Sequence, residues 1–279
     1  AGATMPIHPH ASPESTINTL AAPYGNNVPL LSSEGAFGTR LRPTAYGASR
    51  YTSVKVSQFT KDVMFKDIEL IPMVDCYDSS QLEPKHFLPL VPMSLINPQE
   101  GIAVGFACSI LPRDIRKVIE HQIKYLEKGT APKYECLPTF YPTDQIAVDF
   151  AEDRNGNIKW VFRGTIDKTN TTLLTVTNLP YGLSHEKFIN KLDNLQESGA
   201  VINYEDNSRN TYNITVKLKR GALREKNDIE IIQFLGLQTA ISENLNVIDF
   251  DGERVWTMEY ADMITKFTEW AVRLVCTTI

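Results

Sequence analysis

NNVPLLSSEGAFGTRLRPTAYGASRYTSVK, residues 26–55, is the stretch that decides the reading of this chain. Its middle, Gly35-Ala36-Phe37-Gly38-Thr39, has the glycine spacing of a loop whose backbone turns sharply or lies close to a neighbour. Farther along stands the pair Arg50-Tyr51. Between Ala36 and Lys66 the cations Arg40, Arg42, Arg50, Lys55, Lys61 and Lys66 are opposed only by Asp62. A phenol among cations can act as a nucleophile, because positive charge assists loss of its proton and stabilises an anionic transition state. The competing readings are a half-buried core tyrosine and a solvated cationic face.

Working toward the start, Val28 to Leu31 is a short extended piece, and Gly25-Asn26-Asn27 breaks the chain before it. Ser12-Pro13-Glu14 with Ile17, Leu20 and Ala21 predicts a helix, since serine caps and proline suits the first turn. Working toward the end, the apolar residues between Ser49 and Met64 follow neither period, and a helix after Tyr51 is favoured. Pro72, Pro84, Pro89, Pro92 and Pro98 predict extended connections and a domain junction. An amphipathic helix is predicted over 114–128, with Ile115, Val118, Ile119, Ile123 and Leu126 on one face. Strands are predicted over 145–150, 158–164, 171–178, 201–204, 212–218 and 246–250, the first two joined by a turn at Arg154-Asn155-Gly156-Asn157. A helix opening at Ser184 and stopping at Gly199, and another over 258–274, complete an α/β body behind a smaller front domain.

The 279 residues are 42% hydrophobic and suggest about two domains. Cys76, Cys108, Cys136 and Cys276 are widely spaced, which points to scattered thiols rather than a zinc site or disulfide framework. No run reaches the roughly 20 apolar residues of a membrane span, and AGATMPIHPH has no signal-peptide pattern, so no membrane partner is expected and a cytoplasmic location is the default. The net charge of -5 weighs against a dedicated nucleic-acid binder, although the local basic stretch runs the other way.

Several segments together resemble the breakage-and-reunion subunit of type IIA DNA topoisomerases, in bacterial or phage-infected cells. These are His8-Pro9-His10, the glycine loop at 35–39, SRYTSVKVS at 49–57, INPQEGIAVGFACSILPRD at 96–114, LLTVTNLPYGLS at 173–184 and NLNVIDFDGE at 244–253. They occur in the family's order over most of the chain, and the Asn26-Asn27…Leu30-Leu31 wording is most similar to phage medium subunits. The resemblance implies an α+β multidomain fold: a winged-helix domain over 1–85 with its opening helices missing, a tower domain over 86–257, and the start of a coiled-coil arm over 258–279.

It also implies function. Tyr51 would attack a phosphodiester of double-stranded DNA, storing the bond as a phosphotyrosine so that the break can be resealed. Arg50 would clamp phosphate oxygens, because a guanidinium forks onto two oxygens and stays charged. His10 would contact the scissile region as a catalytic partner, with His8 beside it. Ile102 would wedge between base pairs, and Lys55 and Arg40 would hold phosphates. Two copies would each cut one strand. The resemblance further implies that magnesium sits in the acidic cluster of a partner's TOPRIM domain, and that ATP is used by that large subunit.

The chain departs from the family where Ala11-Ser12 replaces the usual Gly and acidic residue after the histidines. Pro13 and Ile17 hold the places of the serine and acidic residue that help gyrases bind quinolones, which predicts weak quinolone sensitivity. Two alternatives stay open: a noncatalytic DNA-bending scaffold, and a solitary enzyme that nicks one strand and changes linking number in steps of one.

Overall fold

The structure is a computed structural model, which describes residues 13–152, 158–222, 226–250 and 252–278. They form two compact units that interrupt one another in sequence. The first takes the described residues up to Gly38, Ala45–Pro138 and the chain from Asn244 onward, and the second takes Thr39–Thr44 and Thr139–Glu243. The expected linear segments 1–85, 86–257 and 258–279 do not follow these divisions.

In the first unit, α1 (Pro13–Ala21) begins on its proline, and β1 (Leu31–Glu34) pairs antiparallel with β2 (Ser53–Val56). The residues after Tyr51 are therefore a strand, not the expected helix. Val54 and Val56 alternate with Ser53 and Lys55, and this β-branched, period-two pattern suits a ladder against β1. Helical backbone is delayed to a single turn at Thr60–Met64.

The proline-rich passage builds a hairpin of β3 (Met73–Asp75) and β4 (Leu82–Pro84), then short turns. It lies within the first unit rather than at the expected domain junction, because Leu88 packs with Ile71 and Trp270, and Leu95 and Ile96 are fully buried. The β5 (Gln99–Ala103) and β6 (Phe106–Ile110) hairpin follows.

Helix α2 (Ile115–Lys128) forms as expected. The Asp114 carboxylate accepts the Arg116 N–H at 2.8 Å, and Gly129 closes the helix in the left-handed conformation. Its Val118 enters a core with Leu95, Ile110, Met258, Met263 and Ile264.

The second unit opens with the short pair β7 (Thr139–Phe140) and β8 (Gln145–Ile146). Two antiparallel sheets follow, built from β9 (Asp149–Glu152), β10 (Ile158–Arg163), β11 (Thr165–Lys168), β12 (Leu173–Asn178), β13 (Val201–Asp206), β14 (Ile214–Leu218) and β15 (Gln238–Ser242). Their orders are β15-β10-β9 and β11-β12-β14-β13. Ile214, Val216 and Leu218 alternate inward on β14 and meet Phe188 and Leu192 of α3 (His185–Glu197) and Ile231 of α4 (Asp228–Phe234). Each such fully buried side chain contributes about 1.5–3 kcal/mol of transfer free energy. The expected turn at 154–157 lies outside the described residues.

Back in the first unit, β16 (Asn246–Ile248) pairs with β17 (Val255–Thr257), and α5 (Tyr260–Thr278) ends the description. Among the described residues no helix is long and apolar enough to cross a membrane.

Candidate active site

Ser49–Tyr51 form one 3-10 turn, closed by the Tyr51 N–H donating to the Ala48 carbonyl at 2.8 Å. Beneath it the glycine loop is stitched in place: the Gly47 N–H donates to the Ala36 carbonyl at 2.8 Å, and buried Phe37 bridges to Tyr46. The loop thus carries the turn on a fixed floor. The Tyr51 side chain is 72% exposed, which removes the half-buried core reading and leaves its hydroxyl accessible. The Arg50 guanidinium carbon stands 4.9 Å from the centre of the Tyr51 ring, a cation-π contact that keeps a permanent positive charge beside the phenol.

A cavity of about 260 Å³ adjoins the turn, lined by Ile17 of α1 and by Phe37, Ser49, Thr52 and Val54 among others. Helix α1, the glycine loop and the strand leaving Tyr51 therefore share one hollow.

Lys55 is exposed on β2, and its ammonium is 2.8 Å from a Glu34 carboxylate oxygen. The second Glu34 oxygen accepts the Ser53 hydroxyl at 3.0 Å. Hydrogen bonds from Lys55 and Ser53 hold the Glu34 carboxyl below its ordinary range, and the same carboxylate raises the Lys55 ammonium. Sequence reading missed Glu34, since its role depends on the β1–β2 register, which places it diagonally across from Lys55.

Arg40 belongs to the second unit. Its guanidinium donates to the Asn178 side-chain oxygen and to the Leu179 carbonyl, and lies 4.6 Å from the Tyr212 ring centre. Burial lowers its basicity. These contacts tie Arg40 to the second unit.

Ile102 lies on the β5–β6 hairpin, opposite Ala107, and is 96% exposed. Val104, in the two-residue turn with Gly105, is fully exposed as well. Large apolar side chains held out on a narrow hairpin are unfavourable in water unless they have a use in a complex. The exposure of Ile102 was not separable in sequence from a buried strand. His8 and His10 lie outside the described residues.

Among the described residues no three His, Cys, Asp or Glu side chains converge to hold a metal ion.

The fold matches that of the Plasmodium falciparum topoisomerase II DNA-binding, cleavage and re-ligation domain, with a TM-score of 0.83 and 20% identity over 96% of this chain and 38% of that one. Residues 1–278 match the family model of the DNA gyrase/topoisomerase IV A subunit, and the chain belongs to that family. It is 30% identical to the DNA topoisomerase medium subunit of Enterobacteria phage T4, over 90% of this chain and 55% of that protein. It is 26% identical to the DNA topoisomerase 4 A subunit of Borreliella burgdorferi, over 92% of this chain and 40% of that one. It is 27% identical to the DNA gyrase A subunit of Thermotoga maritima, over 86% of this chain and 32% of that one. The chain therefore spans between a third and about half of the lengths of these relatives.

Proposed function

We propose that this chain is the DNA-cleaving and rejoining part of a type II topoisomerase, with Tyr51 as its nucleophile. The observation that carries the reading is an exposed Tyr51 on a braced turn with the Arg50 guanidinium against its ring, in a chain of the family of gyrase and topoisomerase IV A subunits.

The Tyr51 oxygen attacks a backbone phosphorus, the new O–P bond replaces the bond to a deoxyribose oxygen, and that oxygen leaves with a proton. The phenolic proton departs as attack proceeds. One phosphoester is exchanged for another, so resealing runs the same steps backward. Arg50 slides from the ring toward the phosphate, where its fork stabilises the growing negative charge. Ile102 bends the duplex by entering a base step, and His10 assists at the scissile region.

Two copies of the chain act on the two strands, and a partner subunit supplies ATP hydrolysis and a TOPRIM site. Magnesium, when bound there, supplies charge neutralisation at the phosphate. The first compact unit carries the winged-helix segment, the second is the tower, and α5 begins the coiled-coil arm.

The test is covalent trapping. The assembled enzyme is incubated with DNA, denatured with detergent and compared with Tyr51→Phe. A protein-DNA adduct in the wild type and none in the variant is expected, and adduct retained by the variant would refute the assignment.

A further inference from the structure

We propose that Glu34 competes with a DNA phosphate for the Lys55 ammonium near Tyr51, and so sets the affinity of DNA binding. The inference rests on the DNA-binding reading above.

Three observations carry it. Ser32 and Glu34 of β1 and Ser53 and Lys55 of β2 all lie exposed, so the outward face of this hairpin carries one anion and one cation. Glu34 is aimed rather than loose, since one carboxylate oxygen meets the Lys55 ammonium at 2.8 Å and the other accepts from Ser53 at 3.0 Å. The pair is also tied to the nucleophile. Glu34 directly precedes Gly35, whose α-carbon lies against the Tyr51 carbonyl, and Ser53 follows Tyr51 by two residues.

The ion balance follows from these contacts. When Lys55 leaves Glu34 for a phosphate, one charge-assisted hydrogen bond replaces another. DNA releases about 0.9 of a condensed cation for each phosphate neutralised. A lone exposed carboxylate condenses no cation in return, so Glu34 acts on affinity through its bond to the Lys55 ammonium rather than on the salt slope. The Lys55 contact with phosphate therefore costs the Lys55–Glu34 pair before it gains the new bond. Removing the carboxylate frees the full contribution.

The experiment measures binding of a fluorescein-labelled duplex by anisotropy across a potassium chloride series. It compares the wild-type chain with Glu34→Gln, Lys55→Gln and the double variant. Gln at 34 keeps an oxygen for Ser53, and circular dichroism verifies that each variant is folded. Glu34→Gln should bind roughly two- to fivefold more tightly, the equivalent of one exposed ion pair. In the Lys55→Gln background the same change should raise affinity by less, because the carboxylate then has no ammonium to hold. Lys55→Gln and the double variant should show a slope of log affinity against log salt shallower by about 0.9 than the two proteins that keep Lys55. A Glu34→Gln affinity equal to that of a DNA-binding wild type overturns the proposal, as does a gain of the same size in the Lys55→Gln background. Absence of salt-dependent DNA binding in every folded variant instead overturns the DNA-binding reading on which it rests.

Discussion

The α-carbon of Gly35 lies against the backbone of Tyr51: a β-carbon at residue 35 would stand 2.8 Å from the Tyr51 carbonyl oxygen and 3.3 Å from the Thr52 α-carbon. Gly35 also has φ of +104°, a conformation that other residues adopt only with strain. Loop and nucleophile are thus one packed object. Gly35→Ala should cost about 1–3 kcal/mol of stability and displace the turn. Covalent adduct should fall about tenfold or more, since small misplacements of reacting groups cost heavily. The control is Gly221→Ala, where φ is +93° but no atom lies within 4 Å of the added carbon. Urea unfolding and adduct trapping on both variants would show whether contact at residue 35, rather than backbone strain alone, carries the effect.

Ile102 makes the opposite prediction. At 96% exposed it contributes little to folding, so Ile102→Ala should leave stability within about 0.5 kcal/mol of the wild type. If the residue enters a base step, the same change should reduce DNA bending. Energy transfer between dyes at the two ends of a duplex reads the bend directly. An unchanged bend angle in the variant would show that the exposed hairpin serves another purpose.

What could be read from the sequence depended on whether the signal was local. Asp114 and Gly129 mark the ends of α2, and the alternation Ile214, Val216, Leu218 marks β14, so each was legible from neighbouring residues. The segment after Tyr51 was misassigned because its strand depends on a partner, β1, some twenty residues earlier. The proline-rich passage was misplaced for a similar reason, since Leu88 finds Trp270 only in the folded chain. At the site, Arg50 and Tyr51 adjoin in sequence and their contact was foreseeable. Glu34 against Lys55, and Arg40 against Tyr212, required register and tertiary packing.

Arg40 offers a direct contrast between scaffold and DNA contact. Its guanidinium donates to Asn178 and Leu179 and stacks over Tyr212. Arg40→Ala removes the guanidinium from both acceptors and from the Tyr212 ring, at a cost of about 1–3 kcal/mol. Thermal unfolding should register the loss, while the salt slope of DNA binding stays at the wild-type value. A slope reduced by about 0.9 with unchanged stability would return Arg40 to the phosphate contacts.

The final prediction concerns pH and the cluster at the start of α5. The His121 Nδ1 is 2.9 Å from the Tyr260 hydroxyl, which donates to the Cys136 thiol at 3.1 Å, and the Arg113 guanidinium lies 5.3 Å from the Tyr260 ring centre. Burial pushes the Tyr260 phenol and the Cys136 thiol upward, so both stay protonated. Burial also lowers the His121 imidazole; Lys124 and Lys117 lower it further and Glu120 opposes them. An unfolded histidine titrates near 6.5. Below about that pH the unfolded chain takes up a proton that the folded cluster resists, so stability falls as pH drops from the unfolded value through the lower folded one. Carboxylates with lowered values, such as Asp206, act at lower pH and do not share this window. Melting temperature should therefore decline between about pH 7 and pH 5.5 in the wild type, and less in His121→Asn, which retains a polar group but does not titrate. Parallel curves for the two proteins across that interval would remove His121 as the source.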